Sequence, residues 1–154
     1  VDTRIDQVLA AIDNWHADGG YNMAHTEQTR MEKRGFWIIH DQLADFNLCF
    51  DWQAEGTLTL SVRSVPVLIL SKEKGAKLVG NNKWHKYKTL DQWSTANISV
   101  KDDKITVSVN GQKLIDAAKL VASEAGDAIS KQGYIKFLAD EQGATVREYC
   151  FMRQ

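Results

Sequence analysis

The sequence predicts a mainly β protein: two antiparallel sheets packed as a sandwich, with one helix at the N-terminus. Three observations carry this. Short segments alternate apolar and polar residues with a period of two, which half-buried strands require. Turn signals separate them at short, regular intervals, as in sandwiches and barrels. Asn110-Gly111 stands between two such segments. A type I′ hairpin turn needs positive φ at both central residues, and this pair supplies it most readily.

Residues 2–16 read as the helix. Ile5, Val8, Leu9, Ile12 and Trp15 fall on one stripe, Asp2 or Thr3 can cap the start, and Gly19-Gly20 ends it. The stretch 21–35 is polar, with Met23 and Met31 as its only clear anchors, and takes no assignment from periodicity. Residues 1–35 therefore read as a helix and polar lead-in, and 36–154 as the sandwich.

Within the sandwich, Phe46, Leu48, Phe50 and Trp52 alternate with polar or small residues and mark a strand with one face in the core. Thr57 to Val62 alternates likewise after the turn at Glu55-Gly56. Val65 to Leu70 is a continuous apolar run with Pro66 near its start, where proline is tolerated. Ala96, Ile98 and Val100 share a face, Asp102-Asp103 turns the chain, and Ile105, Val107 and Val109 form the next inward set. Leu114 and Ile115 lie on the return strand past Asn110-Gly111. The Ala-rich 116–130 suits a short helix or a long loop. Tyr134 to Leu138 and Thr145 to Met152 close the chain as two strands. Trp37, Trp52 and Trp93 read as core, each needing a partner for its indole N–H.

Composition sets bounds. At 154 residues, one domain can bury a core without a metal or disulfide. A net charge of −1 argues against a nucleic-acid binder, which needs a basic excess. No apolar run approaches the roughly 20 residues of a membrane-spanning helix. The chain opens on Val1, as a mature or trimmed form would, so the terminus gives no compartment. His16, His25, His40 and His85 lack metal-ligand spacing, and neither a phosphate loop nor a nucleophile elbow occurs; no metal or cofactor is expected.

Several stretches together resemble the 3-keto-disaccharide hydrolase family. Trp93 to Val100 with Lys104 to Gly111 resembles its tryptophan-led strand and Asn-Gly hairpin. Ala44-Asp45-Phe46-Asn47-Leu48 is similar to its early "DFEL" strand, and Gly133 to Leu138 with Val146 to Tyr149 to its closing pair. The likeness runs over about residues 36–153, judged from aligned turns. It implies a concanavalin A-like jelly roll and carbohydrate chemistry. The departures are specific. Of the family's "N-S-G-I-x-x-R" stretch only Arg63 matches. Val65 to Ser71 has no carboxylate where the family places polar and acidic groups. Hydrolysis normally needs two flanking carboxyl groups, so no catalytic residue is assigned. Asp45 and Asp51 are too far apart along one strand to act as a close pair, and Asp51 and Glu55 read as solvated turn residues.

One constellation stands out. Residues 72–88 hold six lysines (Lys72, Lys74, Lys77, Lys83, Lys86, Lys88), with Trp84, His85 and Tyr87 among them after Asn81-Asn82. Aromatic rings stack on the apolar face of a sugar, and Asn, His and Lys donate to its hydroxyls. The candidate ligand-binding residues are thus Arg63, Asn82, Trp84, His85 and Tyr87. The same composition also describes a solvated basic loop whose aromatics pack down on the sheet, or a protein-contact surface. A glycan-binding or accessory domain is the expected function, with a glycoside hydrolase second and a protein-interaction domain third. In the resembled fold the DFEL strand and the last strand are neighbours. That implies a bridge between Cys49 and Cys150 if both point outward, and with it a periplasmic or extracellular protein.

Overall fold

The computed structural model describes residues 22–25, 28–89, 92–121 and 129–154, with side chains from residue 28 onward. The helix expected over 2–16 lies outside these residues. Among the described residues there are twelve strands and no helix. The first six are β1 (Asn22–His25), β2 (Thr29–Met31), β3 (Phe36–Leu43), β4 (Phe46–Ala54), β5 (Thr57–Val62) and β6 (Val65–Ser71). The rest are β7 (Gly75–Leu78), β8 (Ser94–Lys101), β9 (Lys104–Val109), β10 (Gln112–Lys119), β11 (Gly133–Ala139) and β12 (Ala144–Arg153).

They form two antiparallel sheets. The seven-stranded sheet runs β1-β12-β4-β8-β9-β10, with β2 also paired to β12; the five-stranded sheet runs β3-β11-β5-β6-β7. The polar segment that periodicity leaves unassigned supplies β1 and β2. Both lie along the same side of β12, opposite its two ends. Residues 116–119 of the Ala-rich region are neither the helix nor the loop expected there, because β10 continues through them along β9; 122–128 lie outside the described residues.

Alternation places the core where the sequence puts it. Phe46, Leu48, Phe50, Ile98, Val100, Ile105, Val107 and Val109 are all buried from one sheet. Leu58, Leu60, Leu68, Leu70, Ile135 and Phe137 meet them from the other. Phe50 and Phe137 touch edge to face across the layer, centroids 4.9 Å apart. Asn110 and Gly111 take φ of 51° and 79°, the left-handed pair that the hairpin needs.

The tryptophans divide. Trp52 is core, and its Nε1 has no hydrogen-bond partner among the described residues. Trp37 departs from the core assignment: it is 37% exposed, because β3 is the edge of its sheet. Its Nε1 donates to Tyr149 Oη at 2.9 Å. Trp93 also departs from the core assignment: it lies just ahead of β8 and is only half-buried.

One end of the sandwich is clamped by Arg63. Its side chain is 2% exposed, in the β5–β6 turn. Nε and Nη2 donate to Ala44 O at 3.1 and 3.0 Å, Nη2 also to Asp45 Oδ1 at 3.2 Å, and a further bond reaches Asp102 O. Asp45 Oδ1 in turn accepts from Asp102 N at 2.9 Å. Turns from both sheets are thereby held to one guanidinium.

Val107→Asp should abolish cooperative thermal unfolding. It puts an unpaired carboxylate at a fully buried position, among the costliest of single changes at more than about 4 kcal/mol. A variant that melts like the parent would refute this assignment of the core.

Candidate functional site

At the end opposite Arg63 the sandwich stays open. A cleft of about 570 Å³ lies there, lined by Arg30, Gln53, Ala54, Glu55, Lys72, Glu73, Gln92 and Gln142. The fold brings these together from separate parts of the chain. Gln53 faces outward near the end of β4, and Glu55 sits in the β4–β5 turn. Lys72 and Glu73 occupy the β6–β7 turn, Gln92 precedes β8, and Gln142 lies in the β11–β12 turn. Arg30 on β2 pairs across to Thr145, which pairs on to Gln53. Its Nη1 donates to Thr145 Oγ1 at 3.2 Å and its Nη2 to Gln142 O at 3.3 Å, so the cation is positioned rather than swinging.

One row further along the same outer face, Arg147, Asp51 and Thr95 stand side by side on β12, β4 and β8. Asp51 is not a solvated turn residue: β4 continues through it and it is 2% exposed. Its carboxylate accepts from Arg147 Nε at 3.2 Å and from Thr95 Oγ1 at 2.5 Å. The Arg147 guanidinium lies 3.9 Å from the centre of the Trp93 ring. A buried carboxylate thus orients a half-buried cation over an aromatic plane.

The residues singled out from sequence fall in two places. Arg63 is at the clamped end, away from the others. Asn82, Trp84, His85 and Tyr87 lie on the segment that follows β7 and crosses to the other sheet. Asn82 is exposed. His85 exchanges both backbone bonds with Ala76 at 2.8 and 2.9 Å, tying the segment to the β7 edge. Tyr87 packs inward, edge to face with Trp52 at 6.5 Å, and its hydroxyl donates to Ser71 O at 3.0 Å. Trp84 stays half-buried, with Lys74 and Lys77 Nζ at 5.8 and 5.6 Å from its ring centre. Lys74 directly follows Lys72 and Glu73 of the cleft, so the basic-aromatic segment and the cleft adjoin through one turn.

Sequence reasoning missed most of the cleft, since its residues come from five separate parts of the chain. The signal that was present is the polar phase at the end of β4, where Asp51 and Gln53 alternate with buried Phe50 and Trp52 and Gln53 reaches the cleft. Among the described residues no group of His, Cys, Asp and Glu is arranged to hold a metal ion.

No known family profile matches the chain, and no curated protein matches it in sequence. Solved structures do match in fold. A Parabacteroides distasonis protein provisionally named a glycosyl hydrolase superposes with a TM-score of 0.59 at 12% identity, over 80% of this chain and 78% of its own. The carbohydrate-binding module CBM66 from Bacillus subtilis gives 0.56 at 12% identity, over 82% and 89%. A fructosyltransferase from A. japonicus gives 0.59 at 9% identity, over 89% of this chain but only 27% of its own. At these identities the likeness is one of fold: a sandwich of two antiparallel sheets.

Burial pushes the Tyr87 phenol up to about 12, against an opposing pull from the Ser94 hydroxyl. Unfolded, it ionises near 10. The folded state then holds a proton that the unfolded state has released. Stability is therefore intact below pH 10 and falls as pH rises from 10 to about 12. Tyr87→Phe should remove this part of the alkaline loss. Thermal melts across that range check it, and identical alkaline profiles for both proteins would contradict it.

Proposed function

We propose that this chain is a glycan-binding module that takes its sugar in the open-end cleft, with Trp84 as a stacking surface at the rim. The lining of the cleft carries the reading. Three carboxamides, two carboxylates and two cations converge on one recess, with Ala54 the one apolar member. A sugar presents many hydroxyls, each both donor and acceptor. Gln serves either role, Glu accepts, and Arg and Lys donate. The fold likeness to a carbohydrate-binding module supports the same reading. An extracytoplasmic location belongs with this proposal. No helix among the described residues is long and apolar enough to cross a membrane.

A second reading, glycoside hydrolysis, is favoured by one observation: Glu55 and Glu73 line the same cleft. Two carboxyl groups about one recess are what the reaction needs. Neither residue matches the resembled family's acids, which makes binding the first choice.

A glycan array beside a turnover screen on disaccharides and their 3-keto derivatives separates the two. For a binding module, Gln53→Ala and Gln92→Ala should each weaken a sugar found on the array about fivefold, the worth of roughly 1 kcal/mol of hydrogen bonding. Trp84→Ala should cost a similar factor through lost stacking and leave Tm nearly unchanged. Unchanged affinity in all three variants would remove the sugar from this cleft. Turnover that disappears in both Glu55→Gln and Glu73→Gln would replace the binding module by the hydrolase.

A further inference from the structure

The pairing of β12 with β4 contains one irregularity. Arg147 lies opposite Asp51, and the next pair is Cys150 opposite Cys49. That is three steps along β12 against two along β4, so one extra residue sits on β12. Glu148 there adopts φ 54°, the left-handed conformation of a bulge. In an unbroken ladder Tyr149 would oppose Cys49, and Cys150 would oppose Leu48 on the core side. The bulge turns Tyr149 and Phe151 into the core, where both are fully buried. It also brings Cys150 to the outer face beside Cys49.

We propose that Cys49 and Cys150 are a disulfide site, aligned by the Glu148 bulge. Both are thiols in the structure. Directly opposed residues of an antiparallel pair have Cα atoms about 4.5 or 5.5 Å apart, depending on the type of pair. Both values lie within the roughly 4.4–6.8 Å that a disulfide spans. Their Cβ atoms, about 4.5–5.5 Å apart in such pairs, need only a small approach. No other thiol competes, because the chain has two cysteines. The other neighbour of Cys150 is Ala24, and that of Cys49 is Asn97.

Exposure sets the order of the chemistry. Cys150 is 4% exposed and Cys49 is half-buried, so Cys49 meets the oxidant. With a small-molecule disulfide as oxidant, the Cys49 thiolate attacks one of its sulfurs and releases the first thiolate. The Cys150 thiolate then attacks Cys49 Sγ in the mixed disulfide and releases the second. Two protein thiols are oxidised, one disulfide is reduced to two thiols, and the two protein protons pass to the departing thiolates. The bridge closes a loop of about a hundred residues and constrains the unfolded chain strongly.

The test equilibrates the protein in buffer rich in glutathione disulfide, once from the native state and once during refolding from the reduced, denatured state. Each sample is then alkylated in denaturant and weighed intact. The expected product is a monomer two hydrogens lighter and unalkylated, with Tm higher than the reduced protein by on the order of 10 °C. Cys49→Ser and Cys150→Ser should each melt alike in oxidised and reduced glutathione. Refolding gives Cys150 full access to the oxidant, so burial cannot hide a competent pair. Two alkylated thiols in both samples, or disulfide-linked dimers in place of the monomer, would overturn the proposal.

Discussion

The structure depends most on how β12 changes phase. This strand is hydrogen-bonded on both sides, to β1 and β2 on one and to β4 on the other. Ala144 and Val146 face the core at its start, Tyr149 and Phe151 near its end. Even-numbered positions thus point inward before the bulge and odd-numbered ones after it. A regular strand cannot do both, since a one-residue shift exchanges its faces. Keeping the first phase throughout would expose two aromatic rings, each worth on the order of 2 kcal/mol or more when buried. A single left-handed residue costs about 1–2 kcal/mol. Burial wins, and Glu148 bears the strain.

That break is visible in the sequence once both phases are sought. Val146 belongs to one alternating set, and Tyr149 and Phe151 to the other, so no unbroken strand accommodates all three. The rest of the core was legible for a simpler reason. On β4, β8 and β9 the apolar phase runs without interruption, and Asn110-Gly111 fixes how β9 turns into β10. Asn110 does more than turn: its Oδ1 accepts from Thr95 N at 2.9 Å and its Nδ2 donates to Lys88 O at 2.9 Å. The hairpin is thereby joined to the segment that crosses between the sheets. What stayed illegible was short or assembled from afar. β1 and β2 are polar fragments whose strand character comes from β12 rather than from their own pattern. Trp37 has the chemistry of a core residue, but its exposure follows from β3 being an edge, which sequence does not announce.

The basic segment has a structural task that stands apart from any ligand. β7 is the outer strand of its sheet, and an unprotected edge invites pairing with other chains. The segment after β7 turns back along it and makes one bridge, Ala76 with His85. Lys77 sits on β7 itself, while Lys83 and Lys86 lie exposed along the covering segment. Lysines there oppose further strand addition. Tyr87, packed against Trp52, anchors the cover to the core. Trp84 keeps a half-buried ring with Lys74 and Lys77 beside it, an aromatic face that a ligand can share.

The two ends of the sandwich therefore do different work. At one end the Arg63 guanidinium is removed from water and held by carbonyls and carboxylates from several turns. A buried charge satisfied in this way resists displacement, because removing a partner leaves part of the buried guanidinium uncompensated. Loops so clamped have little freedom to accommodate a ligand. At the other end Gln53, Glu55, Lys72, Glu73, Gln92 and Gln142 converge without a central cation to consume their hydrogen-bonding capacity. Arg30 is fixed at the wall, and Asp51 holds Arg147 over the Trp93 ring one row behind. Rigid strands hold Arg30, Gln53, Asp51 and Arg147, while turns carry the remaining polar groups. A site needs both: preorganised donors that lose little freedom on binding, and loops whose sequence varies without disturbing the core.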